Sequence, residues 1–452
     1  MEPFRFHVFV CNQQKPEGAP CCSGRGSAEV IDALRREIAA GGWDDEVQVT
    51  LCGSVGLCDH GPNMIVYPEG VWYCGVTPAD VAEIVESHFR HGKPVDRLVR
   101  RDMAQVRAEV TGNRDQMRAA LRAKDAAGAL PDDLQMRIRG FQESRVILTA
   151  LELDVFTAVG EGAKAAEVAA RLQTDARATE MLLHALAAME LLVKQDGWFR
   201  NTPLAARYFS AASADCARTA LLHTANLWHS WSTLTGAVRA GTAVAPEAEA
   251  GHDAGWVETF IAAMHRNATE RAESVVRAVG PIAGRMLDIG GGSGAYSIAF
   301  AKANGQLAVD LLDRAEVTPI ARSHIREAGL ENRIHLVAGD LRSSLPPGSY
   351  DVAFLSAICH MLNPEENRAL IGRCHSVLAP RGRIVIQDFI LEPDKTAPKS
   401  AALFALNMLT GTRGGGTYSA PEYAAWLEAA GFEGPQHVRL PGPASLMVAA
   451  RE

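Results

Sequence analysis

No apolar run in this chain approaches the roughly 20 residues that a membrane-spanning helix needs, so a spanning helix is not expected. Basic residues are not in excess either: 45 Lys and Arg stand against 53 Asp and Glu, a net charge of −8. Nucleic acid, which wants a basic face, is therefore not an expected partner. The start, Met1-Glu-Pro-Phe-Arg-Phe-His-Val-Phe-Val10, lacks signal-peptide architecture and runs straight into strand-like alternation. A cytoplasmic location is the expectation, and in that reducing compartment clustered cysteines serve as metal ligands or redox thiols more often than as disulfides. What is present is unevenly placed. Of nine cysteines, Cys11, Cys21, Cys22, Cys52, Cys58 and Cys74 all precede residue 75. At 452 residues, 47% hydrophobic and 22% charged, the chain suits a globular protein of about three units.

Phe6 to Val10 reads as a buried strand that delivers Cys11 at its end, and Val47 to Leu51 as a second, ending at Cys52. Between them lie a turn-rich loop, Lys15-Pro-Glu-Gly-Ala-Pro20, and a helical period over Ala28 to Ala40, with Val30, Ile31, Leu34 and Ile38 on one face. Cys52-Gly-Ser-Val-Gly-Leu-Cys58 is a tight loop. Met64 to Tyr67 and Val71 to Val76 form a hairpin, and Thr77 caps a helix from Pro78 to Phe89. Two loops at strand ends can bring four thiolates to one small centre, which iron–sulfur clusters and zinc both accept. Ordinary buried cysteines are the plainer alternative.

His7-Val-Phe-Val-Cys11, Cys22-x-x-Arg-Gly26, Gly56-Leu-Cys-Asp-His-Gly-Pro62 and Val66-Tyr-Pro-Glu-Gly-Val-Trp-Tyr73 resemble the thioredoxin-like [2Fe–2S] ferredoxins over residues 5 to about 100. The resemblance implies a [2Fe–2S] cluster. That family spaces its last two ligands C-x-x-x-C, which counts back from Cys58 to Ser54. Cys52 stands two residues earlier and is preferred as the thiolate, giving Cys11, Cys22, Cys52 and Cys58 as the expected set. Cys21 competes with Cys22, whose spacing to Arg25-Gly26 fits the family.

Residues 97–133, rich in Arg, Lys, Asp, Glu and Ala, read as a solvated helix or tether. Residues 137–208 show short amphipathic segments (Arg145 to Phe156, Ala165 to Leu172, Thr179 to Leu191) and then a wing-like hairpin, Leu192 to Phe199. The order is winged-helix-like, yet Thr179 to Met189 is apolar and near neutral, which suits dimerisation rather than DNA. Leu227 to Thr235 and Phe260 to Ala268 are further helices, and His265 on the second is a candidate for lining a substrate pocket.

Arg285-Met-Leu-Asp-Ile-Gly290 is a buried strand running into glycines, with a helix from Tyr296 to Ala303. Glycine lets the backbone approach a ligand there, and the helix start offers free amides. Asp288, inside the strand, would repel a pyrophosphate but stabilise the ammonium and sulfonium of S-adenosylmethionine. Asp313, ending the strand Leu307 to Leu312, is placed for both ribose hydroxyls, and Asp340, after Arg333 to Gly339, for the adenine amino group. With Gly290, Gly292 and Leu341 they form the expected cofactor set. Tyr350 to Ser356 and Arg383 to Phe389 continue a doubly wound sheet, and Leu446 to Ala450 closes it antiparallel at the edge.

Leu287-Asp-Ile-Gly-Gly-Gly-Ser-Gly294, Ala338-Gly-Asp340, Ser356-Ala-Ile-Cys-His360 and Gly382-Arg-Ile-Val-Ile-Gln-Asp388 resemble the class I S-adenosylmethionine methyltransferases. Residues 137–452 as a whole resemble the small-molecule O-methyltransferases of the acetylserotonin and hydroxyneurosporene type. The resemblance implies a hydroxyl acceptor, a homodimer, and His360 as the base after the fourth strand. Met361 stands where the plant enzymes carry an aspartate, and Gly414-Gly-Gly416 where they carry an orienting glutamate. The expected architecture is α/β. It comprises a thioredoxin-like ferredoxin domain (1–102), a charged helical linker (103–136), a helical, winged-helix-like dimerisation and substrate domain (137–275) and a Rossmann-like methyltransferase domain (276–452). The expected function is methyl transfer to a small, hydroxyl-bearing molecule, with a redox partner protein for the ferredoxin part. The alternatives are a redox-sensing or electron-transfer protein whose methyltransferase-like part binds without catalysis, and methyl transfer to a thiol.

Overall fold

Alternating burial along Phe6–Cys11 sets the first strand, β1, with Phe6, Val8 and Val10 turned into a core. The computed structural model describes residues 3–15, 19–244 and 254–452, without the side chains of 124–126 and 254–259. The middle of the expected Lys15 to Pro20 turn therefore lies outside the described residues. The chain divides into two compact units, Met1–Gly140 and Phe141–Glu452.

In the first unit β2 (Val47–Cys52), β3 (Asn63–Tyr67) and β4 (Val71–Cys74) join β1 in the order β2-β1-β3-β4. β1 runs parallel to β2 and antiparallel to β3, in a register that sets Cys11 opposite Cys52. The crossover helix Ser27–Gly41 buries Val30, Ile31, Leu34 and Ile38, the face expected from its period. The helix expected over Pro78 to Phe89 is instead a 3₁₀ turn (Pro78–Asp80), an α turn (Val81–Ile84) and a π segment (Val85–Arg90). Widening there carries His88 into the core, where its Nδ1 meets the Tyr73 hydroxyl at 2.9 Å.

The segment expected to be a solvated helix or tether is a helix, Met103–Ala126, largely exposed, but one face of its first half meets the Cys52–Cys58 loop. Val106 is buried, Asn113 Nδ2 donates to Gly56 O at 2.8 Å, and Glu109 pairs with His60 at 2.8 Å. A Cβ on Gly56 would lie 2.8 Å from Val110. This helix start therefore clasps the Cys52–Cys58 loop.

The second unit begins with helices around a small core of Leu151, Phe156, Val168, Leu183, Leu186 and Phe199. The helix expected from Arg145 to Phe156 breaks in two, Phe141–Glu152 and Val155–Val159, because Asp154 adopts φ 61°. A three-stranded sheet, β5 (Ala163–Lys164), β6 (Leu192–Gln195) and β7 (Trp198–Asn201), forms the wing in the order β5-β7-β6. Arg218–Ser232 and Ala254–Val279 are the long helices that follow.

The main sheet has seven strands: β8 (Arg285–Ile289), β9 (Ala308–Asp313), β10 (Ile334–Ala338), β11 (Tyr350–Ser356), β12 (Leu378–Asp388), β13 (Phe432–Val438) and β14 (Ser445–Arg451). Their order is β10-β9-β8-β11-β12-β14-β13, parallel from β10 to β12. Leu287, Ile289, Leu355 and Ile386 pack on Tyr423 and Trp426 on one face, and Met286, Val309, Phe354 and Val385 on Val275, Phe300 and Ile325 on the other. β14 is antiparallel, as expected, but lies inside β13 rather than at the edge. Pro435 falls within β13, and proline is tolerated in such an outer strand. Strand order reverses between β8 and β11, so a cleft opens where their C-terminal ends diverge.

Candidate active site and cysteine site

β8 ends in the glycine turn. Gly290 (φ 71°) and Gly292 (φ 57°) take the left-handed region, and a Cβ at Gly290 would lie 2.3 Å from Ile358 Cδ1 and 3.7 Å from Leu341 Cδ2. The turn is tied to the next strand. Gly290 N–H donates to Leu312 O at 2.7 Å, and Gly292 N–H to Asp313 Oδ2 at 2.7 Å. The helix Ala295–Ala303 then starts with no side-chain cap on its first turn.

Three carboxylates surround this turn. Asp288 is turned under it, buried, and accepts from Ser297 Oγ at 2.6 Å. Burial, with Asp313 nearby, pushes its carboxyl up to about 7. Asp313 is half-buried, and burial raises it as well, against the opposing pull of amides from Arg314 and Gly292. Each of its oxygens accepts one backbone N–H, from Gly292 and from Arg314 at 2.7 Å, so each keeps a lone pair for a ligand hydroxyl. Asp340 is exposed, and its Oδ1 accepts from Arg342 N at 2.9 Å. Two desolvated carboxyls side by side favour a ligand that brings positive charge.

His360 stands in a short turn after β11 and is buried. Its Nδ1 lies 2.7 Å from Asp388 Oδ1, at the end of β12. Asp388 is fixed in turn: Oδ1 accepts from Phe389 N at 2.8 Å, and Oδ2 from His360 N at 3.0 Å and the Tyr423 hydroxyl at 3.4 Å. A carboxylate can only accept, so Nδ1 carries the proton and Nε2 is left basic. The ring stands edge-on to Phe404 (4.8 Å), which stacks on Phe389 (4.1 Å).

His265 is brought elsewhere. Its Nδ1 is 2.9 Å from Ser293 Oγ in the glycine turn, and its ring stacks on His324 at 4.1 Å. Burial and His324 hold its pKa below the ordinary range. It belongs to the cofactor side of the cleft.

In the first unit Cys11 and Cys22 are fully buried, and Cys58 nearly so. The Cys11 thiol is drawn down to about 6, chiefly by a hydrogen bond with Cys22 and also by the amides of Gln13 and Val55. Asn63 Nδ2 donates to Cys22 Sγ at 3.4 Å, and a Cβ on Gly61 would lie 2.6 Å from that sulfur. Ser54 Oγ lies 3.2 Å from Cys58 Sγ. Cys52 ends β2 opposite Cys11, with its thiol raised by burial and by Cys11. Among the described residues no three His, Cys, Asp or Glu side chains gather tightly enough for a single metal ion. A two-iron centre is held instead by two pairs of ligands, and Ser54 with Cys58 is one close pair of donors here. Cys21 contacts its own turn, accepting from Gly24 N at 3.3 Å.

Residues 137–211 match the O-methyltransferase dimerisation domain and residues 241–433 the O-methyltransferase domain. The chain is 31% identical over 322 residues to 3-hydroxy-5-methyl-1-naphthoate 3-O-methyltransferase of Streptomyces sahachiroi, covering 69% of this chain and 92% of that protein. The chain belongs to the O-methyltransferase family. Human N-acetylserotonin methyltransferase, solved in complex with SAM, superposes with a TM-score of 0.62 at 26% identity, over 70% of this methyltransferase and 96% of the human chain. The N-terminal fifth is similar to a different protein, a 2Fe-2S ferredoxin of Aquifex aeolicus. The two are 46% identical over 99 residues, which is 21% of this chain and 86% of the ferredoxin.

This methyltransferase therefore uses S-adenosylmethionine, and no described helix is long and apolar enough to cross a membrane. Asp388 is the residue that sequence reasoning missed. It ends the quoted segment Gly382 to Asp388, and the reading that singled out Asp313, a carboxylate at the C-terminal end of a parallel strand, would have found it. Met361, where an aspartate was looked for, is partly exposed, and the carboxylate comes from the neighbouring strand.

Proposed function

We propose that the enzyme methylates the hydroxyl of a small aromatic molecule, with His360 as general base and Asp388 as its orienting partner. The observation that carries this is the buried 2.7 Å contact between the two, which leaves Nε2 to receive the acceptor's proton. S-adenosylmethionine supplies an electrophilic methyl group. Gly290, Gly292 and Leu341 would line its seat, Asp313 would take the ribose hydroxyls, Asp340 the adenine, and Asp288 the positive charge through the turn above it. The partly exposed Phe389 and Phe404 beside His360 favour a flat, aromatic acceptor. The activity for which the Streptomyces relative is named, on a hydroxynaphthoate, agrees with that choice.

The organisation we propose keeps four parts: 1–102, 103–136, 137–275 and 276–452. The first would hold a [2Fe–2S] cluster on Cys11, Cys22, Cys58 and a fourth ligand from Cys52 or Ser54, a one-electron carrier when bound. Cytoplasmic location, a redox partner and a homodimer through the helical part complete the proposal. Methyl transfer is redox-neutral, so the displacement draws no electrons from a cluster. A screen of phenolic acceptors with methyl-labelled cofactor and anaerobically prepared protein tests the activity. Label on a phenol oxygen is the expected result. Label only on thiols, or on no acceptor across the screen while the cofactor binds, would overturn it.

A further inference from the structure

The loop between Cys52 and Cys58 is built around an oxygen atom. Ser54 Oγ accepts from Gly56 N–H at 3.1 Å and lies 3.2 Å from Cys58 Sγ. Gly56 (φ 89°) is held by the helix Met103–Ala126, through Asn113 on its carbonyl and Val110 against its Cα. Ser54 and Cys58 thus form a close pair of donors, and Cys11 and Cys22 are the two fully buried thiols of the first unit. Cys52 is not part of that pair. It is the last residue of β2, in register with Cys11, and its carbonyl is held by Asn12 N at 3.1 Å.

We infer that Ser54, and not Cys52, is the fourth ligand of the two-iron centre, so that one iron is held by two sulfurs and the other by the sulfur of Cys58 and the oxygen of Ser54. The inference rests on the proposal that the first unit holds such a cluster. The preference for Cys52 drawn from sequence weighed only the softness of the donor. The geometry adds what that omits. A backbone N–H aimed at Ser54 Oγ stabilises the negative oxygen that a metal-bound serine carries, and it does so before any metal arrives. An oxygen donor is harder than sulfur and favours the ferric state, so the centre would be a weaker oxidant than its all-thiolate counterpart.

The test uses full-length protein purified anaerobically, with iron content, visible and paramagnetic resonance spectra and reduction potential as readouts. Calorimetry with S-adenosylhomocysteine checks that the second unit is intact in each variant. Cys52→Ala is expected to keep two irons per chain, with spectra and potential unchanged. Ser54→Cys is expected to keep two irons, move the charge-transfer bands to longer wavelength and raise the potential. Ser54→Ala is expected to lose most of the iron or to alter the resonance spectrum. A Cys52→Ala protein with its cluster lost or changed, beside a Ser54→Ala protein with the wild-type spectrum, would overturn the assignment and leave the cluster proposal standing. Wild-type protein that takes up no two-iron centre on anaerobic reconstitution would overturn both.

Discussion

His360 Nδ1 lies 2.7 Å from Asp388 Oδ1, and the Asp388 carboxylate is wholly shielded from solvent. Both of its oxygens also accept backbone N–H groups, from Phe389 and from His360 itself. The carboxylate therefore cannot turn, and it fixes which imidazole nitrogen is basic.

Replacing His360 with alanine should slow turnover roughly 10²–10⁴-fold with cofactor affinity near wild type. Asp388→Asn should do nearly as much. An amide cannot satisfy two N–H donors and the imidazole N–H at once, so it would present a donor to one of them. Single-turnover rates with calorimetry on the same samples separate chemistry from binding. An Asp388→Asn enzyme with wild-type turnover would remove Asp388 from the mechanism.

Asp313→Ala should weaken cofactor binding and leave the amides of Gly292 and Arg314 without their acceptor. Gly290→Ala should be more damaging still. It combines a left-handed φ of 71° with a Cβ only 2.3 Å from Ile358. Calorimetric titration with S-adenosylhomocysteine reads both. Asp313→Ala protein that binds as tightly as wild type would sink this placement of the ribose.

Asp288 makes stability depend on pH. Its carboxyl holds a proton up to about pH 7 in the folded protein, against an ordinary value of 3.8. Between those values the folded state binds more protons than the unfolded chain, so stability is greatest below the lower one. It falls as pH rises towards 7, by at most about 1.4 kcal/mol per unit. A positively charged cofactor favours the ionised form, so its affinity should strengthen over the same interval. Thermal unfolding from pH 5 to 8 should show the decline in wild type and a flatter profile in Asp288→Asn. Equal slopes in the two proteins would rule Asp288 out as the source.

Exposed Met181, Val193 and Leu204 lie in the segment that matches the family's dimerisation domain. Large apolar side chains left open there point to a covering surface. Sedimentation at micromolar concentration should report a dimer, and Met181→Glu with Leu204→Glu should yield monomers. A monomeric wild type would contradict the proposal.

Local pattern was enough for most of the sheet elements and for the glycine turn. The period of two in Phe6–Cys11, the apolar run of Arg285–Ile289 and the glycines after it are written in adjacent residues, because strand burial and left-handed turns are decided by near neighbours. The residues singled out Asp288 and Asp313 as chemical candidates, and the family resemblance singled out His360. Sequence alone could not join His360 to Asp388, which are 28 residues apart and meet only because β11 and β12 pair in register. Nor could it place β14 inside β13, break the helix at Asp154, or set the start of Met103–Ala126 against Gly56. Donor softness pointed to Cys52, whereas the distance from Ser54 to Cys58 is set by a loop folded against a distant helix. Residue type and spacing determined which atoms were available. Which of them meet was decided by strand register and packing between segments far apart in the chain, which no local pattern encodes.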